Sequence, residues 1–399
     1  MKYRHLLILF LASLLLRLAY GHFTSELWQP PRGYDELLYD APARSSIEKG
    51  EFCHSGKWPL GEVLIHIAVY SLLGLNFVCM RVVSQIMSSL TVVFTALLAA
   101  KLFDDRVGII SGALACVHPW LIYRAHTIQT EVSMLFFLTL CFLLVLCYGS
   151  KRSSWLPIGL SFGFLLYIRP NALLQLPPML VLFYIATGDP KKTLGKCILV
   201  TFLALLIFLP WCVKLSLQWG QFVFGMHRFG HTLCGGNCEA VFKDHDYRGL
   251  WKSPTKLQLD TREDWYSLDF NTRERILLEK GKSWISKNPG KFLLLGAYKL
   301  GRLFSLYRPF SGAKSLTKIA TVEFWLILVL ALSGLGLSIR HNTRECLFLL
   351  LWIAMVCAQC FVFHGANRYR YCFEPSLLIF AALALRALMV ELGAERVLP

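Results

Sequence analysis

The chain has 399 residues, of which 55% are hydrophobic and only 17% are charged, and its mean hydropathy is +0.51. A soluble domain carries about 25% charged residues, so this chain lacks the polar side chains that a soluble protein of its length needs on its surface. The same composition excludes intrinsic disorder, collagen-like repeats and a small disulfide scaffold. It predicts an all-α integral membrane protein with many spans.

The charge is strongly positive, with 41 lysines and arginines against 25 aspartates and glutamates and a formal net charge of +16. In a soluble protein such a surplus would suggest a nucleic-acid partner. In a membrane protein it is better explained by positive helix ends and loops that face lipid headgroups or an anionic substrate. We therefore expect the membrane, and no nucleic acid, as a partner.

Apolar segments that could cross a membrane recur along the whole chain. Several are shorter than the roughly 20 residues that a bilayer requires, so they must tilt or include flanking residues. The first is interpreted as a retained helix and not a signal peptide, because Arg17 interrupts its end and no small-residue cleavage site follows. About ten spans are predicted, at 6–20, 77–100, 107–122, 132–148, 155–168, 171–187, 197–213, 321–338, 346–363 and 376–390.

The segment 59–74 is apolar but carries a polar stripe, since Glu62, His66 and Tyr70 recur every four residues. On a helix these side chains share one face, which favours a helix lying in the membrane interface. Keeping this segment out of the membrane also places most basic residues of the short loops on the cytoplasmic side, as the positive-inside rule requires.

The segment 292–304 is also interpreted as interfacial, because a lysine and an arginine stand among its leucines and charges are costly in hydrocarbon. Both termini are then cytoplasmic, and residues 1–399 form a single transmembrane domain. Within it, 21–76 is a first outer loop with an acidic pair and an interfacial helix, and 214–319 is a long outer loop.

The polar residues beside the apolar runs fall mostly on the outer side of this arrangement. One acidic pair and several basic residues on a single face would suit a reaction on an anionic substrate that is held in the membrane. The sequence contains no Gly-rich phosphate loop, no zinc-spaced set of cysteines and histidines and no internal repeat. The outer polar residues are Asp35, Glu36, Lys57, Arg124, Glu131, Arg169, Arg368, Tyr369 and Arg370.

The order of these motifs resembles that of the GT-C membrane glycosyltransferases that use polyprenyl-phosphate sugars, which include the protein O-mannosyltransferases and the lipid A aminoarabinose transferase. The resemblance extends over nearly the whole chain, and it rests on the shared order of the motifs and on their common face. The matching pieces are Arg17, Gly33 to Tyr39, Gly56 to Leu60, His118 to Trp120, Thr130 with Glu131, Gly159 to Pro170, and Arg368 to Arg370 followed by Pro375.

The resemblance implies a fold of GT-C type with interfacial helices on the outer face, and an activity. The protein would transfer a sugar, with inversion, from a polyprenyl-phosphate donor to a lipid, glycan or protein acceptor on the outer face. The style of the motifs is similar to that of bacterial members, which implies a plasma (inner) membrane with the active site facing the periplasm. No cofactor is assigned, and a divalent metal is possible. No metal ligand is assigned, because no acidic residue directly precedes Lys57.

Asp35 and Glu36 are the candidate catalytic residues. Transfer to a hydroxyl group requires a base within about 3 Å of the acceptor proton, and a carboxylate suffices because the leaving polyprenyl phosphate is a good leaving group. The resemblance implies that Asp35 is this base and that Glu36 orients the loop or binds the acceptor. The alternative is an acidic pair that stabilises the start of an interfacial helix.

Lys57, Arg169, Arg368 and Arg370 are candidates to hold the donor phosphate, because charge-assisted hydrogen bonds would stabilise negative charge on the leaving group. Alternatively, these side chains extend to lipid headgroups. Arg368 and Arg370 flank Tyr369 at the entrance of the last helix. They share a face if this stretch is extended and diverge if it is helical.

Each of the other polar residues has two possible roles. Glu131, with Arg124 before it, either belongs to the site or interacts favourably with a helix N-terminus. Arg17 either pairs with an outer-loop carboxylate or contacts substrate. In the long outer loop, Cys234 and Cys238 could close a disulfide across two glycines.

A multi-span lipid or polysaccharide transporter or flippase is the alternative function. It predicts charged residues near the middle of the membrane and an internal repeat, and the sequence shows neither. A membrane glycosyltransferase remains the favoured function.

Overall fold

The computed structural model describes residues 1–31, 33–253, 265, 267–305 and 314–392. These residues form helices and connecting turns, without a β-strand among them. The first nine helices are α1 (Tyr3–Phe23), α2 (Tyr34–Lys49), α3 (Gly61–Leu73), α4 (Phe77–Leu102), α5 (Asp105–Val117), α6 (Pro119–Arg124), α7 (Thr130–Tyr148), α8 (Trp155–Ile168) and α9 (Leu176–Thr187). The remaining helices are α10 (Pro190–Trp219), α11 (Phe229–Gly236), α12 (Glu239–Lys243), α13 (Phe270–Lys287), α14 (Pro289–Phe304), α15 (Lys314–Ser338), α16 (Thr343–Val362) and α17 (Glu374–Glu391).

The prediction of an all-α protein with many membrane spans is confirmed. Within the described ranges, eight helical segments are long and apolar enough to cross a membrane. They are Tyr3–Phe23, Phe77–Leu102, Thr130–Tyr148, Pro170–Thr187, Pro190–Trp219, Ile319–Ser338, Thr343–Val362 and Asn367–Glu391. The other two predicted spans, 107–122 and 155–168, correspond to helices of fewer than 18 residues.

The predicted span 107–122 is divided between α5 and α6 at His118. Pro119 has no N–H group and pushes the residue before it out of the helical region, and His118 has φ −62° and ψ 114°. Its imidazole Nδ1 accepts a hydrogen bond from the backbone N–H of Trp120 at 3.2 Å, which caps α6. His118 is therefore a capping residue at a break between two short helices.

Short as it is, α5 still passes from one end of the bundle to the other beside α17. Asp104 pairs with Arg386 at 2.8 Å near one end, and His118 Nε2 lies 3.5 Å from Glu374 near the other. The N-termini of α2 and α7 and the C-terminus of α8 meet at the end that carries Glu374. The predicted count of about ten is thus approximate, with eight helices among the described residues that are long enough to cross and shorter apolar ones between them.

The polar stripe of α3 does not face outward, as an interfacial helix would suggest. Glu62, His66 and Tyr70 are buried, Tyr70 donates a hydrogen bond to Asp40 on α2, and Ser133 on α7 donates to Glu62. The stripe joins α3 to its neighbours. At 13 residues α3 is too short to span a bilayer, and its position in the interface stays a prediction.

In the segment 214–319, which the sequence predicts to be an outer loop, the described residues include α11 to α14, with α11 packed on α13 and α14 packed on α16. Lys299 of α14, expected at an interface with headgroups, is fully buried. Cys234 and Cys238 are both free, so they do not form the disulfide that the sequence permitted.

Candidate active site

Asp35 stands in the first turn of α2, where it contacts a residue from the far end of the chain. Arg368 Nη1 donates a hydrogen bond to Asp35 Oδ2 at 2.5 Å. The two side chains are 32% and 33% exposed. Asp35 is therefore an oriented carboxylate that a substrate can still reach.

A buried carboxylate lies directly behind this pair. Glu131, 2% exposed at the start of α7, accepts a hydrogen bond from Arg169 Nη2 at 2.6 Å, and Arg368 Nε lies 3.8 Å from the same oxygen. Burial alone would lower the pKa of Arg169, but the carboxylate of Glu131 outweighs burial and the pKa is raised. Arg169 is thus a firmly charged partner of Glu131, and Arg368 bridges the two carboxylates.

Tyr369 extends this network on its other side. Its hydroxyl accepts a hydrogen bond from Arg368 Nη2 at 3.2 Å and forms a second hydrogen bond with His364 Nε2 at 2.8 Å. Burial, and then the charges of Arg368 and Lys299, lower the pKa of His364 to about 3. The imidazole is therefore neutral. The sequence analysis did not identify His364, since no pattern marked it.

Arg368 and Arg370 diverge because Asn367–Phe373 forms a 3-10 helix. Arg370 Nε donates to Glu374 at 2.5 Å, and its guanidinium lies 3.8 Å from the centre of the Phe324 ring. Arg370 is 2% exposed, so it faces the helix bundle. The structure places it away from Asp35 and does not support the expectation that it holds substrate.

Glu36, the second acid of the pair, is buried. Its Oε1 accepts a hydrogen bond from the backbone N–H of Ile128 at 3.2 Å, and its Oε2 lies 3.5 Å from Arg81. Arg81 also donates to the carbonyls of Gln29 and His126. Of the two roles expected for Glu36, the structure favours fixing the loops around Asp35. Arg81 was hidden in an apolar run and was missed.

Arg124 and Arg17 occupy interior positions. Arg124 Nη1 donates to Gln129 at 2.7 Å, its guanidinium stacks 4.7 Å from the Trp120 ring, and burial lowers its pKa. Arg17 is fully buried and donates to Ser88 at 2.9 Å and to Ser13 at 2.5 Å. Neither expectation for Arg17, a loop carboxylate or the substrate, agrees with these partners.

A cavity of about 530 Å³ opens beside α2, between that helix and the helices α11 and α13. Leu37, Leu38, Ala41 and Pro42 of α2 line it. Asp35 is not among the lining residues, and it lies one turn of α2 before Leu38. The charged side chains in the lining are Lys57, Arg228, Arg273 and Glu274.

The cations of the cavity are held mainly by aromatic rings. Lys57 Nζ lies 4.4 Å from the centre of the Phe270 ring, and the Arg228 guanidinium lies 4.2 Å from the Trp58 ring. Arg273 Nε is buried and has no hydrogen-bond partner among the described residues. Three cations against the single carboxylate of Glu274 make this a cavity for an anionic group. Lys57 thus belongs to a different group of cations from Arg169 and Arg368.

The carboxylates around Asp35 are paired with arginines. Arg368 engages Asp35 and Arg169 engages Glu131, and over the ranges that the structure describes no three His, Cys, Asp or Glu side chains are placed to hold a metal ion. A cation at Asp35 would have to displace Arg368. A divalent metal therefore stays a prediction.

Comparison with known proteins supports the resemblance seen in the sequence. Residues 57–213 match the family model of dolichyl-phosphate-mannose-protein mannosyltransferases. This segment contains Lys57, Arg124, Glu131 and Arg169, but neither Asp35 nor Arg368. No curated protein matches the chain by sequence.

The fold is similar to that of the oligosaccharyltransferase AglB from Archaeoglobus fulgidus. The structure of that enzyme tethered to an acceptor peptide with the NVT sequon matches with a TM-score of 0.58 at 16% identity, covering 100% of this chain and 51% of the other. The complex with an inhibitory peptide and a dolichol-phosphate gives 0.54 at 16% identity, covering 99% and 51%. The complex with Zn and sulfate gives 0.52 at 16% identity, covering 97% and 49%.

The chain thus spans about half the length of the oligosaccharyltransferase chains it matches. The prediction of a GT-C type fold, made from the order of the motifs, is confirmed by this likeness and by the mannosyltransferase family match. In fold, the chain is similar to the membrane glycosyltransferases of this superfamily.

Proposed function

We propose that this chain is an inverting membrane glycosyltransferase that takes a sugar from a polyprenyl-phosphate donor and transfers it to an acceptor on the outer face of the membrane. One observation carries the proposal. The accessible carboxylate of Asp35 lies one helical turn before Leu38 of α2, which lines a cavity with three cations. A base on the helix that borders an anion site is what transfer from a sugar phosphate to a hydroxyl group needs.

Asp35 acts as the general base. Its Oδ2 is occupied by Arg368, which leaves Oδ1 to accept the proton of the acceptor hydroxyl. The acceptor oxygen forms a bond to the anomeric carbon while the bond from that carbon to the phosphate oxygen breaks, and the electron pair leaves with the phosphate. Attack from the side opposite the phosphate inverts the configuration at the anomeric carbon.

The departing phosphate is held by Lys57, Arg228 and Arg273, not by Arg169 and Arg368 as the sequence suggested. Arg169 and Arg368 are already engaged by the carboxylates of Glu131 and Asp35. Lys57 and Arg228 contact aromatic rings, and Arg273 Nε has no hydrogen-bond partner among the described residues. Three cations face the one carboxylate of Glu274 in the described lining, so a phosphate oxygen gains more here than at Arg169 and Arg368, each of which already pairs with a carboxylate.

The comparisons agree with this assignment of substrates. The archaeal oligosaccharyltransferase has been seen with a dolichol-phosphate and with an acceptor peptide, and we propose ligands of the same two classes here. The acceptor is a lipid, a glycan or a protein. We further propose a bacterial plasma membrane as the location, with the site facing the periplasm.

The test is transfer of label by the purified full chain in lipid nanodiscs. The protein is given a polyprenyl-phosphate sugar with labelled sugar, together with a membrane extract as the source of acceptor. We expect wild-type protein to transfer label and Asp35→Asn to lose about 10²-fold or more of the rate, the usual contribution of a general base. Glu48→Gln, an exposed acid on the same helix, is the control and retains activity. Full activity of Asp35→Asn would contradict the assignment of the base.

A further inference from the structure

Lys299 of α14 has a fully buried ammonium group that lies outside the site described above. Its Nζ donates to Asn237 Oδ1 at 2.6 Å and to the backbone carbonyls of Phe361 and Val362 at 3.2 Å each. Three acceptors match the three N–H donors of an ammonium group. Among the described residues the hydrogen-bond partners of its Nζ are all neutral oxygens.

These acceptors belong to the C-terminal end of α16. The last four carbonyl groups of a helix lack partners within the helix, and a cation near them is favourable. Asn237 completes the arrangement, since its Nδ2 donates to the carbonyl of Val362 at 2.9 Å and to that of Leu233 at 2.9 Å. Lys299 and Asn237 together cap α16 from two other elements of the chain.

The capped end leads straight into the active site through residues 363–367, which we call the strap. Within it, Gly365 N–H donates to the carbonyl of Gly249 at 2.8 Å. A Cβ atom added to Gly365 would stand 1.9 Å from the carbonyl oxygen of Lys299, and one added to Gly236 would stand 1.9 Å from that of Phe363. The strap is therefore packed on both sides with no room for a side chain at these points.

We propose that Lys299 is a positioning residue of the active site, which with Asn237 fixes the strap and thereby sets Arg368 against Asp35. The roles of Arg368 and Asp35 in this statement rest on the proposed function. The holding of the strap does not, because it follows from the contacts of Lys299 alone.

The choice of residue supports this role. A buried ammonium without a carboxylate partner is costly, and an apolar side chain of similar volume often replaces a buried charge without loss of stability. Methionine would fill the same space. What methionine could not supply is the three hydrogen bonds that hold the end of α16, so the gain from lysine lies in the geometry of the strap.

The protonation of Lys299 gives this contact a pH dependence. Burial lowers its pKa to about 7. The titratable groups that face it are Cys238, Cys360 and His364. Burial raises the pKa of Cys238, Cys360 is a buried thiol that stays protonated near neutral pH, and the imidazole of His364 is neutral down to about pH 3. Above pH 7 the neutral amine keeps only two donors for three acceptors, so the strap loosens.

The experiment is amide hydrogen exchange of the strap peptide in the full chain, with correction for the intrinsic rate at each pH. We compare wild type, Lys299→Met and Lys291→Met. Lys291 lies on the same helix but pairs with Glu239 at 3.0 Å and is 42% exposed, so it is a matched control. We expect about tenfold faster exchange in Lys299→Met at pH 6.5. Wild type and Lys291→Met exchange faster as the pH rises from 6.5 to 8.5, whereas Lys299→Met shows no such rise.

Transfer activity is the second readout. Lys299→Met lowers kcat about tenfold, since misplacing one contact of the base is sufficient for such a loss, and leaves the KM for the donor unchanged. If neither the wild type nor any variant transfers sugar, the proposed function fails. The hydrogen-exchange result still decides the role of Lys299 in that case. Unchanged exchange in Lys299→Met overturns the role of Lys299. If that variant does not fold, a flat pH response of the wild-type strap overturns it equally.

Discussion

Arg368 and Asp35 are joined by a hydrogen bond of 2.5 Å although 333 positions separate them in the sequence. The same guanidinium lies 3.8 Å from Glu131 and donates to the hydroxyl of Tyr369. One side chain from the last helical segment therefore ties an accessible carboxylate on α2 to a buried one on α7. The consequences of changing each member of this network differ, and they can be measured separately.

The first prediction concerns the two carboxylates. Glu131→Gln leaves Arg169 buried without its charged partner, and we expect a loss of about 3–5 kcal/mol in unfolding free energy, the usual effect of breaking a buried pair. Asp35→Asn breaks a partly exposed pair and costs about 1 kcal/mol or less. Thermal denaturation of both variants in the same detergent checks the order. Equal losses would show that Glu131 and Arg169 are not the buried structural pair.

The second prediction concerns Arg368, which contacts both Asp35 and Glu131. Arg368→Lys keeps the charge but cannot reach Asp35, Glu131 and Tyr369 together, because an ammonium is a single point and a guanidinium is a planar fork. We expect kcat to fall by about 10²-fold, as for a misplaced catalytic group, with little change in melting temperature. Steady-state transfer rates and thermal shift on one preparation measure both. Wild-type kcat in the lysine variant would mean that the charge alone suffices.

The third prediction concerns the cavity. Lys57→Met removes a cation from the proposed phosphate site, and a charge-assisted hydrogen bond contributes about 1.5–3 kcal/mol, or about 10- to 100-fold in affinity. Titration with a polyprenyl phosphate measures the dissociation constant. Lys214→Met is the matched control, because Lys214 also lies 4.4 Å from an aromatic ring, that of Phe52, but outside the cavity. Equal weakening in both variants would argue against a specific site.

The fourth prediction concerns the free energy of unfolding at acidic pH. Burial, and then the cation of Arg81, lower the pKa of His126 to about 4. The unfolded imidazole binds its proton near pH 6.5, so between 6.5 and 4 the unfolded state binds more protons and the free energy of unfolding falls as the pH falls. The slope for one such group is at most about 1.4 kcal/mol per pH unit. His126→Asn should reduce the measured slope, while His22→Asn, an exposed control, should not.

The fifth prediction concerns orientation in the membrane. Reporter fusions at positions 45, 153, 240 and 342 should read outside, inside, outside and inside. Positions 45 and 240 belong to α2 and α12, on the side of the active site, and the other two lie in turns at the opposite end. Any other order would separate the acidic pair from the outer face and contradict the proposed location of the reaction.

The helices and several members of the site could be predicted from the sequence, because both leave local signals. Long apolar runs require helices in a membrane, and Asp35, Glu131, Arg169 and Arg368 stand out as charges beside such runs. The break at His118 was not predicted, although proline restricts the residue before it, and whether the chain crosses there depends on contacts with α17.

The rest of the site depends on contacts between distant segments. Arg228 and Arg273 lie in a long polar segment where one arginine looks like the next, and only folding brings them to the cavity beside α2. The direction of Arg370 was undecidable from sequence, because it depends on whether the stretch before α17 is extended or helical. Lys299 led to the prediction of an interfacial segment, because burying a charge in hydrocarbon is costly. Its hydrogen-bond partners at the end of α16 could not be inferred from the sequence.

The short helices α5 and α8 also affect the surrounding lipid. With 13 and 14 residues they rise about 20 Å, against a hydrocarbon thickness of about 30 Å. Leu156 and Leu160 of α8 are exposed on the outside of the bundle, so lipid tails must adapt to a helix about 10 Å too short. Hydrophobic mismatch of this kind thins the bilayer locally. If the chain takes the proposed lipid donor, this thinning would bring the headgroup of the donor toward Arg169, the residue that follows α8.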